Sequence, residues 1–327
     1  MLTAVSRVET WQMKEPFEIS REVIASLRVL HVELHDSLGS RGVAEAAGVD
    51  YDGETPEGMA SQIEAVAGEL RDELRGSDLL RLLPAGGARN ALDCALWDLR
   101  AKQSGRRAWK AAGLRGMGPV LTDYTIGLGD EAATRRRARE AREYPLLKLK
   151  VDGVRHVDQV RIVKEEHPRA RIIVDANQAW SRERLEGLLP GLRELGVELI
   201  EQPVARGEDA CLDGFDSTIP LAADESCADR CSLARLTGRY RYVNIKLDKC
   251  GGLTEALAMA QRARALGLGL MVGNMCGTSL AMAPAFLLAQ HCEYVDLDGP
   301  LLQVRDREPA MVYRHGRVEP PLPELWG

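Results

Sequence analysis

The sequence predicts an α/β protein in which a (β/α) barrel follows a smaller α+β domain. Short apolar runs recur every 22 to 26 residues between Lys150 and Lys246, which is about the length of one strand, loop and helix. Each run ends in a charged residue or carries one, as expected for strand ends around a barrel mouth. The first 115 or so residues instead combine strand and helix patterns, and a chain of 327 residues can hold both parts.

The N-terminal part begins with two β-rich runs, Val5 to Trp11 and Leu27 to Leu34, which predict a hairpin or a short meander. Helical patterns follow from Pro56 to Leu74 and from Ala88 to Gln103. The glycine-rich segment 113–119 is the predicted boundary between the two parts.

Eight barrel strands are expected after this boundary, separated by amphipathic helices such as Thr254 to Leu266. The predicted strands are Val120 to Ile126, Leu146 to Val151, Arg171 to Asp175, Val197 to Glu201, Leu221 to Asp224, Tyr242 to Leu247, Leu268 to Gly273 and Tyr294 to Leu297.

Composition and charge exclude several classes of protein. The chain is 45% hydrophobic and 28% charged with a formal net charge of −6, which is ordinary for a globular protein and argues against a nucleic-acid partner. Seven cysteines without a C-x-x-C pair indicate reduced thiols, as in cytosolic proteins. The segment from Met1 to Thr10 lacks the apolar core of a secretory signal. Glycines and Pro284 divide the uncharged stretch from Ala265 to Gln290, so we predict a cytoplasmic protein with no membrane partner.

Two lysines stand two residues apart on one predicted strand, at Lys148 and Lys150. Side chains of a strand alternate between its faces, so both ammonium groups share one face. Such a pair is costly to bury, and chemistry is the usual reason to keep it, although a solvated edge strand is the alternative for this segment alone.

Three carboxylates, Asp175, Glu201 and Asp224, end the following strands, and Lys246 ends a later one. Any single carboxylate could cap a helix, but three on successive units offer the hard oxygen ligands that suit Mg²⁺. Lys150 and Lys246 would then flank the metal from opposite sides of the barrel mouth. Two such groups beside a metal that stabilises an enolate indicate proton removal alpha to a carboxylate.

These residues, in this order and across nearly the whole chain, resemble the enolase superfamily of the muconate-lactonizing-enzyme type. The motifs are Lys148-x-Lys150, Asp175-Ala-Asn177, Glu201-Gln-Pro203, Asp224-Glu-Ser226 and Asn244 to Gly252. The resemblance implies a (β/α)7β TIM-like barrel of residues 116–305 under an α+β capping domain of residues 1–115, with 306–327 packing back on the cap.

The same resemblance implies roles for the charged residues. Asp175, Glu201 and Asp224 would hold one Mg²⁺ per subunit, and Lys150 and Lys246 would be the two acid/base catalysts. In this family Lys150 would act on the α-carbon in its (S) configuration and Lys246 on the (R) configuration. Lys148 would help to neutralise the substrate carboxylate.

The last predicted strand carries Asp296 and is followed by Asp298. Alternation along the strand puts both carboxylates on the same inward face, where they would bind a cation. A pair of capping aspartates is the alternative. The D-x-D resembles that of the dipeptide epimerases, in which it holds the α-ammonium group of the N-terminal residue. Segments 83–98 and 238–246 resemble the members that act on L-Ala-D/L-Glu, so this dipeptide is the favoured substrate.

Two further residues are candidates for substrate contact. Arg21, in a loop expected to overhang the site, would pair with a second substrate carboxylate, although a surface arginine is an equal alternative. Its neighbours Glu18 and Glu22 leave a preference for anionic side chains open. Thr125, on the first predicted barrel strand, is the other candidate. No role is predicted for segment 274–277.

Three readings of function compete. The leading one is Mg²⁺-dependent epimerisation of a small dipeptide by two-base proton transfer. The second is an N-acylamino-acid racemase, a cycloisomerase or an enzyme of the o-succinylbenzoate-synthase type, against which Asp296 and Asp298 argue because they would repel an acyl or dicarboxylate ligand. The third is a non-catalytic metal-binding barrel. The sequence leaves the oligomeric state open, with a homo-oligomer as one option.

Overall fold

The computed structural model describes residues 1–18 and 23–327. The N-terminal part begins with an antiparallel sheet of β1 (Thr3–Glu18), β2 (Val23–His35) and β3 (Arg41–Ala46), in the order β1-β2-β3. The predicted hairpin or short meander is therefore a three-stranded meander.

Helices cover one face of this sheet. They are α1 (Pro56–Ala65), α2 (Gly76–Leu82), α3 (Gly87–Ser104) and α4 (Ala108–Ala111). The prediction of α3 is confirmed to within one residue at each end. The predicted helix from Pro56 to Leu74 is wrong beyond Ala65, because the chain tightens into a 3-10 turn at Ala67–Glu69 and then leaves the helical path before α2.

Gly42 on β3 allows α3 to pack directly on the sheet. A Cβ atom at this position would lie 2.1 Å from the carbonyl oxygen of Ala95, which is far inside van der Waals contact. Only glycine permits this approach without moving the helix.

An eight-stranded parallel sheet forms the barrel. Its strands are β5 (Tyr124–Ile126), β6 (Leu146–Lys150), β7 (Arg171–Asp175), β8 (Val197–Glu201), β9 (Leu221–Ala223), β10 (Tyr242–Lys246), β11 (Gly269–Gly273) and β12 (Tyr294–Val295). The helices between them are α5 (Glu131–Glu140), α6 (Val157–Glu166), α7 (Arg182–Glu194), α8 (Leu233–Leu236), α9 (Leu247–Cys250), α10 (Leu253–Ala265) and α11 (Ser279–Ala289). Between β8 and β9 a 3-10 turn at Asp209–Leu212 takes the place of a helix.

The strands follow one another in chain order, and the two ends of the sheet meet at β5 and β12. The backbone N–H of Asp123 donates to the carbonyl of Val295 at 2.9 Å, and the N–H of Leu297 donates to Thr122 Oγ1 at 2.9 Å. These bonds join the two ends and close the barrel.

The first barrel strand is shorter than predicted. The predicted strand from Val120 to Ile126 is wrong in its first half, because β4 (Val120–Leu121) leaves the barrel and pairs with β14 (Arg317–Val318). That strand in turn pairs with β13 (Tyr313–Arg314) in a small antiparallel sheet. Only Tyr124–Ile126 belongs to the barrel.

Inside the barrel an apolar layer lies below a charged one. The apolar cluster consists of Leu146, Ile173, Leu199, Ala222 and Met271. The charged layer begins with Lys148, two residues after Leu146 on the same face of β6. Further along the strands, Lys150 pairs in register with Asp175, and Asp175 pairs with Glu201. The packed apolar floor therefore fixes the height at which the charged side chains emerge.

The C-terminal residues contact the N-terminal helices. Trp326 Nε1 donates to the carbonyl of Cys94 at 3.0 Å, and the N–H of Gly327 donates to Asp98 Oδ1 at 2.8 Å.

The division of the chain near residue 115 stays a prediction. All seven cysteines are free thiols, and no helix in residues 1–18 and 23–327 has the length and apolar character needed to span a membrane.

Candidate active site

Lys148 joins three carboxylates at the barrel mouth. Its Nζ lies 2.7 Å from Asp296 Oδ2, 2.8 Å from Glu201 Oε2 and 3.2 Å from Asp175 Oδ2. Burial alone would lower the pKa of Lys148, but Asp296, Glu201 and Asp175 together raise it well above its ordinary value. Lys148 is therefore a fixed positive charge at the centre of the site.

The two predicted acid/base lysines face each other across the barrel. Lys150 Nζ lies 2.6 Å from Asp175 Oδ2, and Lys246 Nζ lies 2.8 Å from Asp224 Oδ2. Their strands, β6 and β10, are four steps apart in an eight-stranded barrel and so stand on opposite sides of it. Burial alone would lower the pKa of Lys246, but the Asp224 carboxylate raises it above its ordinary value. The structure thus brings together the pair that the sequence predicted.

Glycine at the end of β11 makes room for one of these lysines. A Cβ atom on Gly273 would lie 2.7 Å from Asn244 Oδ1 and 3.0 Å from Cε of Lys246. A larger residue at this position would push the lysine side chain out of its place.

The three predicted metal ligands lie side by side. Asp175 and Glu201 end β7 and β8, Asp224 directly follows β9, and all three are buried. Burial raises the carboxylate pKa values, but the adjacent lysines bring those of Asp175 and Asp224 below their ordinary range. Burial and the charge of Asp175 raise the pKa of Glu201 to about 7.

Polar neighbours that the sequence analysis did not single out hold two of these residues, Glu201 and Asp224. Asn244 Nδ2 donates to Glu201 Oε1 at 2.8 Å, and Lys249 Nζ donates to Asp224 Oδ1. Gln202 Oε1 accepts from the N–H groups of Asp224 at 2.9 Å and Ser226 at 3.1 Å. Gln202, Asn244 and Lys249 all lie inside motifs quoted in the sequence analysis. Their position in these motifs was the signal that could have identified them.

The site contains more buried carboxylates than buried ammonium groups. The carboxylates are Asp123, Asp175, Glu201, Asp224, Glu225, Asp296 and Asp298, and the ammonium groups are Lys148, Lys150, Lys246 and Lys249. Because carboxylates outnumber ammonium groups in this buried site, the donor set fits additional cations. Oxygen ligands without thiol or imidazole fit Mg²⁺.

Asp123 is a buried carboxylate that the sequence analysis missed. Among the described residues, Asp123, Asp296 and Asp298 each place one carboxylate oxygen within 4.8 Å of the other two, whereas the three predicted metal ligands form no such group. Neither carboxylate oxygen of Asp123 has a hydrogen-bond partner in the described part of the chain. Burial, together with the charges of Asp296 and Asp298, raises its pKa well above the ordinary value.

Asp123→Asn is therefore expected to stabilise the protein in the absence of substrate. The raised pKa means that the folded state holds the proton more tightly than the unfolded chain, so stability falls as pH rises above the unfolded value of about 3.9. Asparagine does not ionise and so avoids this loss. We expect the free energy of unfolding of the variant to exceed that of the wild type by about 1 kcal/mol at pH 8, which corresponds to about 2 °C in Tm. The difference should shrink towards pH 5. Thermal unfolding of both proteins across this range measures it. A wild type as stable as the variant at pH 8 would contradict the assignment.

Of the two D-x-D residues, Asp298 is fixed by the candidate residue Thr125. The backbone N–H of Thr125 donates to Asp298 Oδ2 at 2.6 Å, and both residues are buried. Burial and the neighbouring Asp296 raise the pKa of Asp298 to about 7. Thr125 thus contacts the D-x-D pair, and Arg21 lies outside the described residues.

A cavity of about 370 Å³ opens above the charged layer. Lys150, Lys246 and Asn177 line its barrel side, and Phe17 and Tyr51 line its cap side. Its volume is in the range of sites for small molecules. A larger depression of about 760 Å³ lies on the outer surface near Arg230 and Glu255, away from these residues.

An ion pair and a cation–π contact join the cap to the barrel at the Tyr51 side of the cavity. Arg206, in the loop after β8, donates to both oxygens of Asp52 at 2.6 and 3.0 Å, and its guanidinium lies 5.7 Å from the ring centre of Tyr51. The two parts of the chain therefore enclose the cavity together.

Comparison with known proteins agrees with this architecture. Residues 1–113 match the mandelate racemase / muconate lactonizing enzyme N-terminal domain, and residues 130–324 match the enolase C-terminal domain-like family. The L-Ala-D/L-Glu epimerase of Escherichia coli is 39% identical over 95% of this chain and 97% of its own. An N-acetyl-D-glutamate racemase of a Pseudoalteromonas species is 44% identical over 77% of this chain and 79% of its own.

Solved structures show the same relationship. An enolase family member from Agrobacterium tumefaciens with homology to dipeptide epimerases, solved with sodium and L-Ala-L-Glu, has a TM-score of 0.97 and 41% identity over the whole of both chains. A dipeptide epimerase of Methylococcus capsulatus, complexed with Mg and L-Arg-D-Lys, has a TM-score of 0.91 and 30% identity, covering 98% of this chain and 97% of that one. This chain therefore belongs to the mandelate racemase / muconate lactonizing enzyme branch of the enolase superfamily and is an enzyme of the isomerase class.

Proposed function

We propose that the protein is a Mg²⁺-dependent dipeptide epimerase that inverts the α-carbon of the C-terminal residue, with L-Ala-D/L-Glu as substrate. The observation that carries this proposal is the placement of Lys150 and Lys246 on opposite sides of one cavity. An α-carbon held between them presents one face to each amine.

The reaction follows from this placement. One lysine, as the neutral amine, takes the α-proton from one face of the substrate, and the other, as the ammonium ion, delivers a proton to the opposite face. The planar intermediate loses its configuration between these two events, and so the product is the other epimer. Lys148, as a fixed positive charge, neutralises the substrate carboxylate.

Asp175, Glu201 and Asp224 would hold the Mg²⁺, because they are buried oxygen donors at adjacent strand ends. When bound, the metal supplies positive charge that stabilises the electron-rich enolate oxygens. Asn244 and Lys249 hold the carboxylates of Glu201 and Asp224, and Gln202 holds the backbone N–H of Asp224, through the bonds described above.

Asp296 and Asp298 would recognise the substrate's N-terminal ammonium group. Two carboxylates side by side can accept hydrogen bonds from an ammonium group, whereas an N-acyl group carries no charge to pair with them. Racemisation of an N-acetylated amino acid is a second candidate function, and the relative with 44% identity favours it. The two functions differ in what the D-x-D pair must accept.

Asp298→Asn separates the two candidates. Asp298 is the better target because Asp296 also holds Lys148 at 2.7 Å. If the pair binds an ammonium group, the variant should raise KM for L-Ala-L-Glu at least about tenfold, the effect of losing one hydrogen bond to a charged group, while kcat changes little. Binding of N-acetyl-L-Ala-L-Glu, measured by competition, should stay within about twofold. Equal losses on both ligands would refute ammonium binding by the pair.

A direct test of the function uses the wild-type enzyme with Mg²⁺. L-Ala-L-Glu and N-acetyl-L-glutamate are incubated separately, and chiral chromatography follows the appearance of the other epimer. We expect conversion of the dipeptide at a kcat/KM at least about 100-fold above that of the N-acetylated compound, as two unpaired buried charges would give. The reverse order would favour the racemase. A role in murein peptide recycling and a cytoplasmic location remain predictions.

A further inference from the structure

The segment after β11 received no predicted role, but the structure gives Asn274 a complete set of partners. Its Nδ2 donates to the backbone carbonyl of Asp296 at 2.8 Å and to Asp296 Oδ1 at 3.0 Å. Its Oδ1 accepts from the N–H of Cys276 at 2.7 Å. Both ends of the amide are engaged, so its orientation is fixed.

The carboxylate of Asp296 is consequently held from two sides. Lys148 occupies Oδ2 at 2.7 Å, and Asn274 occupies Oδ1. A carboxylate bonded at both oxygens cannot rotate about its Cβ–Cγ bond, yet each oxygen keeps a lone pair for a further donor. Without Asn274, the strong bond to Lys148 alone would decide where Oδ1 points.

Asn274 is also in the right place to affect the substrate. It lines the same cavity as Lys150 and Lys246, and so does Cys276. The fit around it is tight, because a Cβ atom on Gly299 would lie 3.0 Å from Asn274 Oδ1. Asn274 therefore contacts both the cavity and Asp296.

We propose that Asn274 is a positioning residue that sets the affinity for substrates with a free N-terminal ammonium group, because it aims the carboxylate of Asp296. This inference rests on the proposed function. Asn274 directly follows β11, the strand next to β12. It would orient Asp296 of the D-x-D pair without contacting the reacting atoms.

The structure also suggests what a purely local role for Asn274 would be. Cys276 has a φ of 61°, in the left-handed region that is unfavourable for residues other than glycine. The bond from its N–H to Asn274 Oδ1 supports this conformation. If that support were the only function of Asn274, glycine at position 276 would make Asn274 dispensable.

The experiment measures kcat and KM for L-Ala-L-Glu in four proteins, the wild type, Asn274→Ala, Cys276→Gly and the double variant, with thermal unfolding as a check on folding. Asn274→Ala should raise KM about tenfold relative to the wild type, with kcat within about threefold, because Asp296 is then no longer aimed at the ammonium group and its hydrogen bond to that charged group is lost. The double variant should show the same tenfold increase relative to Cys276→Gly. The double variant keeps the test valid if the single alanine variant folds poorly, because glycine removes the backbone demand.

With an active wild type, three results would overturn the inference. A double variant with the KM of Cys276→Gly would reduce Asn274 to a support for the loop. A fall in kcat at constant KM in both Asn274 variants would place its effect on the chemistry instead of on ammonium binding. An unchanged KM in both would remove the effect altogether. A wild type that does not epimerise L-Ala-L-Glu would overturn the proposed function and this inference together, whereas an active wild type isolates the inference.

Discussion

Lys246→Ala is expected to stop epimerisation in both directions, by at least about 10³-fold, and to leave proton exchange on one epimer intact. Loss of a general acid/base group costs about 10² to 10⁴ in rate, and here the remaining lysine faces only one side of the α-carbon. With the assignment of Lys150 to the (S) face, Lys246→Ala in D₂O should exchange the α-proton of L-Ala-L-Glu but not that of L-Ala-D-Glu. Lys150→Ala should show the opposite selectivity.

Mass spectrometry or proton NMR of each epimer after incubation with each variant gives the result. Lys110→Ala is the matched control, because Lys110 is an exposed lysine of α4 that does not line the cavity and should retain wild-type rates. Exchange of both epimers by either active-site variant would mean that a single base reaches both faces, and the opposed-lysine assignment would fail.

Removal of divalent metal is the second change with a large expected effect. Complete chelation should lower kcat/KM for L-Ala-L-Glu by at least about 10³-fold, because the charge that stabilises the enolate is worth several kcal/mol. Added Mg²⁺ should restore the rate. Metal content is verified by elemental analysis before the assay.

Stability should respond much less than activity. Lys148, Lys150 and Lys246 contact the three predicted ligands directly, so the carboxylates keep partners when no metal is bound. We expect saturating Mg²⁺ to raise Tm by a few degrees, in line with ligand binding to the folded state alone. Metal-free protein with full activity would contradict the assignment of Asp175, Glu201 and Asp224.

Much of the fold could be predicted because its signals are local. Alternation and spacing identified the strands that carry Lys150, Asp175, Glu201 and Lys246, and the apolar stripe of α3 identified its full length. The errors lie where tertiary contacts override such patterns. Val120–Leu121 has strand character, but its partner is β14, almost two hundred residues away, and no local pattern predicts that pairing.

The candidate site shows the same division. The lysines and the three metal-ligand candidates were identified because the barrel places polar residues at strand ends. Asp123 and Asn274 were missed, because their roles depend on the meeting of β5, β11 and β12 at the closure of the barrel. The relevant distances, such as 3.0 Å from Asn274 Nδ2 to Asp296 Oδ1, exist only after folding.

The measurement that tests the central claim most directly is a screen of wild-type enzyme and Mg²⁺ in D₂O against a library of L,L-dipeptides and their N-acetylated forms. Mass spectrometry reports one deuterium gained per epimerised molecule, and fragmentation assigns it to a residue. We predict label at the C-terminal α-carbon of dipeptides, with L-Ala-L-Glu among the fastest, and labelling of the N-acetylated members that is at least about 100-fold slower. Absence of label from every dipeptide, or label in the N-acetylated compounds alone, would contradict the assignment of this protein as a dipeptide epimerase.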